Sequence, residues 1–376
     1  MSYEVTGRIS VKVLLNDEEF PFLRANSLEF LHLSSSTKLA APMCHLALQD
    51  NIDFLSESKH LADGAKIQLV ISARDSGQSN TYAFRLNSYA RTSNSGAQRY
   101  EIDGFLDCNL FWNSSTFEAF KGTSFAAISD IAKRTELGFS GDQTADSQVW
   151  LPRNIPYYEW ARLIAERGYR SENSCMQLGL DLDRTLEYKD VSEFKSPKAL
   201  FSYGGYREGY LLAIDVSPSI KSGSMNHHSG YSESQVEQDV LNQNFYRTNS
   251  KILVNKQARE GTLLLNQKLK KSINQNRVTF APIDVGNVHV EYEKALYQNR
   301  RNNNLFSSVL NLVTPEPSTL HLLDVVTVSM EKASEHLKIY SGDYRIATKT
   351  IHVKNNDYFE KYELLRRTLN AQLQDA

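Results

Sequence analysis

Two adjacent histidines, His227-His228, are the sharpest chemical signal in the chain, because imidazoles ligate metals and move protons near neutral pH. Neighbouring side chains on an extended backbone point to opposite sides, and no third ligand follows at a fixed spacing. A solvated polar loop therefore accounts for the pair. Asp181 and Asp183 stand two apart, which on a strand would place both carboxylates on one face. A glycosidase needs such a pair, yet an exposed hairpin face explains it equally. Tyr203-Gly204-Gly205-Tyr206 offers two rings to a sugar or a base, although glycine pairs more often make simple turns. Lys121-Gly122-Thr123 lacks the upstream glycine of a phosphate loop. The sequence contains neither a Gly-x-Ser-x-Gly elbow nor a His-Glu-x-x-His helix. Lys268-Leu269-Lys270-Lys271 with Arg277, and Arg300-Arg301, read as surface charge, since they lack the interleaved aromatics of a strand-binding groove. No residue is assigned a catalytic, cofactor-binding or metal-ligating role, and no cofactor is expected.

Composition points the same way. The chain has 376 residues, enough for two or more domains, with 41% hydrophobic and 23% charged residues. A formal net charge of −2 gives no global attraction to nucleic acid or an anionic membrane, and no apolar run is long enough to span a bilayer. The N-terminus alternates like a strand and lacks the cleavage site of a signal peptide. Cys44, Cys108 and Cys175 are odd in number and widely spaced. They imply buried reduced thiols and assembly in a reducing cytoplasm rather than a disulfide framework or a zinc site. Nineteen tyrosines suit an interface-rich assembly protein or a carbohydrate-binding module.

The elements follow from periodicity. Residues 1–112 read as β: Ile9, Val11 and Val13, then Ile67, Leu69 and Ile71, then Tyr82, Phe84 and Leu86 alternate with polar neighbours. Asp63-Gly64, Ser76-Gly77 and Ser95-Gly96 punctuate them as turns, so a small barrel or sandwich is expected. Asp50 to His60 fits either a short helical turn or a loop. A strand is expected from Tyr100 to Phe111. Thr123 or Ser124 then caps a helix carrying Phe125, Ile128, Ile131 and Ala132 on one face, which Gly138 ends in a left-handed turn. Pro156 suits the first turn of a second helix, with Trp160, Leu163 and Ile164 on its apolar side and Gly168 at its end. A hairpin is expected around Asp183-Arg184. Leu211 to Val216 forms a strand that Pro218 ends. Residues 221–250, rich in Ser, Asn, Gln and His, read as a long loop. Residues 291–313 include a helix with Tyr292, Ala295 and Leu296 on one side. Residues 319–353 return to β, and 358–373 form either a strand leading to a helix or a docking tail.

These elements carry a resemblance. FKGTSFAAISDIAKRTELGF from Phe120 and WLPRNIPYYEWARLIAERGY from Trp150 resemble the helical unit of contractile-tail hub proteins. That family comprises the myophage baseplate hubs, the late control D proteins and the front half of the type VI secretion spike. LHLLDVVTVSM from Leu320 and IYSGDYRIATKTIHVKNNDYFEKYELLRRTL from Ile339 look like the last barrel of that family.

The resemblance implies an α+β, mostly β fold with two small β-barrels, the second discontinuous. The first covers 1–112, an α/β unit covers 113–200, and the second barrel comprises 201–225 and 311–357. A polar insertion fills 226–310 and a tail 358–376. It implies a non-enzymatic homotrimer that adapts a six-fold tail tube to a three-fold spike and keeps a channel for DNA, in the tail baseplate of a virion. Trp112, Trp150 and Trp160 would anchor the helices to the first barrel. The alternative is an all-β carbohydrate-binding or hydrolase module using Asp181 and Asp183. A type VI spike relative would need a separate spike partner, since no repetitive β-helix tail follows.

Overall fold

The computed structural model describes residues 3–5, 9–23, 27–56, 59–73, 77–94, 97–171, 174–220, 232–239, 244–251, 277–282, 308–354 and 357–366. The first β unit has eight strands: β1 (Tyr3–Val5), β2 (Ile9–Leu15), β3 (Glu18–Glu19), β4 (Leu28–Ser36), β5 (Met43–Asp50), β6 (Lys66–Ala73), β7 (Ser79–Asn94) and β8 (Ala97–Leu106). Seven of them pair in the order β1-β2-β6-β7-β8-β5-β4, and β3 pairs with β2. The alternation read in the sequence selects the buried face. Val11 lies opposite Ile71 and Val13 opposite Leu69, all buried, while Lys12 between them is exposed. Asn16 and Asp17 both take positive φ, at 49° and 66°, and turn β2 into β3 as a two-residue hairpin loop. Gly64 and Gly77 adopt the left-handed conformation expected of their turns, and Ser95-Gly96 lies outside the described residues. Between Asp50 and His60 the chain makes one 3-10 turn, Phe54–Ser56, with buried Asp50 accepting from the Ile52 and Leu55 amides.

The strand expected to reach Phe111 stops at Leu106. Cys108 and Phe111 are both buried and three residues apart, which is helical spacing, and α1 (Asn109–Asn113) follows. Next come β9 (Phe120–Gly122), α2 (Ser124–Arg134), β10 (Gly138–Gly141), β11 (Gln148–Trp150), α3 (Tyr157–Arg167), β12 (Met176–Leu180) and β13 (Thr185–Asp190). Thr123 caps α2, its hydroxyl accepting from the Ala126 amide at 3.2 Å. Gly138 does not supply the left-handed stop; Glu136 does, at φ 57°. Gly138 instead opens β10, which runs parallel to β13, and a Cβ there would stand 2.8 Å from Thr185 Oγ1. Close strand approach explains that glycine. Pro156 occupies the N-cap of α3 rather than its first turn, and Gly168 ends the helix. Trp150 and Trp160 are buried, and Trp112 packs on Tyr158 at 4.9 Å. All three belong to, or pack on, one core running from the first β unit through the helices.

A second β unit is assembled from two separated stretches. The first gives β14 (Ala199–Tyr203), β15 (Leu211–Ala213) and β16 (Asp215–Ile220). Pro218 does not end a strand but sits inside β16, opposite Leu310. Among the described strands β16 pairs with one neighbour only, so the missing N–H interrupts no ladder on its open edge. The expected loop at 221–250 contains β17 (Ser232–Asp239) and β18 (Asn244–Lys251), which join β19 (Arg277–Pro282) in a separate three-stranded sheet. β17 and β18 lack apolar alternation, which hid them in the sequence, and the backbone ladder defines them; β19 lies in 251–290, where weak strand character is legible. The helix expected at 291–313 falls mostly outside the described residues, and its end is strand: β20 (Ser308–Thr314). Then come β21 (Val325–Ser329), α4 (Glu335–Lys338), β22 (Gly342–Lys354) and β23 (Asp357–Arg366). The last of these settles 357–366 as a strand.

One strand ties the two β units together. β22 pairs with β23 along one edge. Along the other it pairs with β21 through Arg345 and with β4 from Thr348 onward. The register shift between Ile346 and Thr348 marks the hand-over. The protein is thus mostly β, with a sheet continuous across both units and a second apolar core beneath β14, β20, β21 and β23. Among the described residues the ladder runs open from β1 to β15, and no return pairing closes either unit.

Candidate functional site

The densest chemistry lies where the three parts meet. Asp181 and Asp183 do not share a strand face: they occupy the β12–β13 turn, with Arg184 at φ 66°. Asp181 is 2% exposed, whereas Asp183 is exposed. The Asp181 carboxylate is committed to structure. Oδ1 accepts from Ser35 Oγ of β4 at 3.0 Å and from the Leu182 amide at 2.7 Å. Oδ2 accepts from the Leu322 amide of the second β unit at 2.8 Å. Burial pushes this carboxyl up, but the His321 contact, Lys349 and the two amides outweigh it and hold it below the usual range.

His321 stands at the centre of the joint. Its Nδ1 lies 3.5 Å from Asp181 Oδ2, 3.4 Å from Asp183 Oδ2 and 3.7 Å from Glu187 Oε1. The Asp181 contact raises the imidazole pKa, burial opposes it, and the nearby carboxylates add to the rise. Buried Glu187 is pushed up by desolvation and pairs with Lys189 at 2.7 Å, and Lys189 reaches Asp324 at 2.9 Å. Buried Arg345 donates from Nη1 to the Leu323 carbonyl at 2.6 Å and from Nη2 to the Asp190 carbonyl at 2.8 Å, latching β22 to the α/β unit. A cavity of about 220 Å³ opens beside Asp181, His321, Tyr82 and Lys349. Glu360, wholly buried, accepts from Ser318 Oγ of the cavity lining at 2.8 Å and from Tyr358 Oη at 2.7 Å.

A second cluster lies on the hand-over itself. His352, His32 and His45 occupy one register row across β22, β4 and β5. The Nδ1 atoms of His32 and His352 are 3.2 Å apart, and His45 Nδ1 meets Asp103 Oδ1 at 2.5 Å. Burial lowers the pKa of His32 and carries His352, which also faces His32 and Lys361, down to about 4.

The other sequence candidates separate. His227-His228, Lys268 to Lys271 and Arg300-Arg301 lie outside the described residues, and Arg277 opens β19. Tyr203-Gly204-Gly205-Tyr206 is a turn packed on Lys332, with Tyr206 74% exposed and Tyr203 against the second core, so the rings form no clamp. Lys121-Gly122-Thr123 is a strand end and a helix cap. The three cysteines are buried and form no disulfide. Sequence reading missed His321, Glu187, Lys189 and Arg345. The signal for the first was present, as a polar interruption of the apolar run Leu320-His321-Leu322-Leu323-Asp324.

No family model matches the sequence, and no curated protein matches it by sequence. Solved structures do. The tail protein from Neisseria meningitidis MC58 aligns over 96% of this chain and 97% of its own, at 11% identity and a TM-score of 0.62. The 43 kDa tail protein of prophage MuSo2 from Shewanella oneidensis aligns over 96% and 98%, at 8% identity and 0.59. The fold is that of the tail proteins. A type VI secretion component of E. coli, described as structurally similar to T4 bacteriophage tail proteins, aligns over 96% of this chain and 78% of its own, at 8% identity and 0.51. With this tail-protein fold, the joint at Asp181 and His321 is a structural node: its carboxylates hold parts of one chain together. No described helix is long and apolar enough to cross a membrane.

Proposed function

We propose that this chain is a structural tail protein serving as a baseplate hub. The observation that carries the reading is end-to-end similarity of fold to a tail protein, over 96% of one chain and 97% of the other. On this reading three copies form a ring. Each copy contributes two barrel-like units, 1–112 and 201–225 with 311–357, the second of which β23 extends to Arg366, so a three-fold ring presents a pseudo-six-fold face. The tail tube protein docks on that face and a central spike on the other, around a channel that passes DNA. The α/β unit 113–200 braces the barrels, and the insertion 226–310 reaches a neighbouring subunit or the spike; the stretch expected as a tail from 358 instead begins with β23, which belongs to the second β unit. Assembly takes place in the host cytoplasm, and the finished hub resides in the virion.

No catalysis is assigned. The alternative carbohydrate-binding or hydrolase reading required a carboxylate pair, and Asp181 already accepts three hydrogen bonds and is held ionised. It offers no proton for a general acid. Native mass by light scattering across a concentration series tests the ring. A three-fold mass, with a channelled particle in electron microscopy, is expected. A strict monomer at high concentration that also fails to assemble with spike or tube protein would overturn the reading.

A further inference from the structure

We propose that Asp181, Asp183 and His321 bind a divalent transition-metal ion of the zinc type at the joint of the three units. The donor atoms of Asp181, Asp183 and His321 lie within 4.8 Å of one another. Bonds of about 2.0–2.2 Å to one ion place neighbouring ligand atoms roughly 3–3.5 Å apart. The His321 Nδ1 separations of 3.5 Å and 3.4 Å to the two aspartates match that spacing. They exceed the roughly 2.7–2.9 Å of a charge-assisted hydrogen bond. The imidazole therefore faces its carboxylates at coordination distance rather than at bonding distance.

Three further features suit an ion. The ligands come from two rigid elements, the β12–β13 turn and the segment before β21. Their orientation is fixed by groups that are not ligands: Ser35 and the Leu182 and Leu322 amides hold Asp181, and the Thr185 amide donates to Asp183 Oδ1 at 3.1 Å. Carboxylates also outnumber the lysines at the joint. Asp181, Asp183, Glu187 and Asp324 face Lys189 and Lys349, and Lys189 is already held by Glu187 Oε2 and Asp324. Imidazole with carboxylates favours zinc, cobalt or manganese over calcium. The cavity of about 220 Å³ beside Asp181 and His321 gives the ion a route in from solvent. A bound ion would cross-link the α/β unit to the second β unit at a point that Ser35 also ties to the first.

Titration of the EDTA-stripped full chain with Co²⁺, read by visible absorption, tests this. One equivalent is expected to give bands of a nitrogen–oxygen site, and added Zn²⁺ should raise the melting temperature. D183N keeps the acceptor for the Thr185 amide and lies in an exposed turn, so it should melt like the parent without metal. D183N and H321N should each lose the bands and weaken binding by about tenfold or more. H336N, on exposed α4, should bind like the parent. A parent chain with no stoichiometric band would overturn the site. So would binding that persists in both D183N and H321N, as it would if His227-His228 were the ligand.

Discussion

At the scale of single residues, the chain puts its ionisable groups to work as fasteners. Asp181 makes three hydrogen bonds to three parts of the molecule from a position 2% exposed. Asp181→Ala removes the acceptors and strands buried donors, so in metal-free buffer it is expected to cost about 3–5 kcal/mol. Denaturant melts would show this as a lower midpoint at unchanged slope. His352 gives a pH signature. Its folded pKa lies near 4 and that of His32 is also lowered, whereas an unfolded imidazole titrates near about 6.5. The unfolded chain binds more protons in that window, so this contribution is complete above about pH 6.5 and declines as pH falls towards 4. The rings are half-exposed and solvent-screened, so the loss is expected to be on the order of 1 kcal/mol. His352→Phe keeps the stacking on Phe359 and should flatten the profile of melting temperature between pH 7 and 4.5. An unchanged slope would assign the acid sensitivity elsewhere.

At the scale of elements, two helices depend on contacts that local propensity does not specify. The amide of Ser124, the first residue of α2, donates to buried Asp146 Oδ1 at 2.8 Å, and Asp146 Oδ2 accepts from the Tyr169 amide beyond α3 at 2.7 Å. One carboxylate thus joins the start of one helix to the exit of the other. Gly168 sits where a Cβ would fall 1.8 Å from Tyr188 Oη and 3.0 Å from Ser124 Oγ. Gly168→Ala is therefore expected to destabilise by about 2–4 kcal/mol through overpacking. Adding Tyr188→Phe removes the worst contact and should restore part of the loss, which a thermal double-mutant cycle would read as coupling. Thr123→Ala removes a cap and should cost about 1 kcal/mol. The threonine cap of α2 and the end of α3 at Gly168 were legible in the residues; the stop of α2 and the helix α1 were not. The roles of Gly138 and Gly168 were not, because a glycine needed for close approach looks the same in sequence as one needed for a left-handed turn.

At the scale of the whole molecule, β22 decides cooperativity. It runs through both β units, and its hand-over from β21 to β4 makes backbone hydrogen bonds the link between them. Arg345, Lys189 and Asp181 add side-chain links between the α/β unit and the second β unit. The described units should therefore unfold together. Calorimetry is expected to give one main transition with equal van't Hoff and calorimetric enthalpies. Two resolved transitions would show that the seam is weaker than either core.

The sequence by itself determined the strands whose one face is buried, the helix α2 with its threonine cap, the hairpin near Arg184, and a resemblance to tail proteins, whose fold the chain shares. Those features are local: period, capping and turn chemistry act within a few residues. The sequence could not place Pro218 on an edge strand, bring His352 beside His32, or set His321 among Asp181, Asp183 and Glu187. Each of those depends on which strands become neighbours. Pairing between such distant stretches is chosen by the packing of the whole chain, and no local pattern records it.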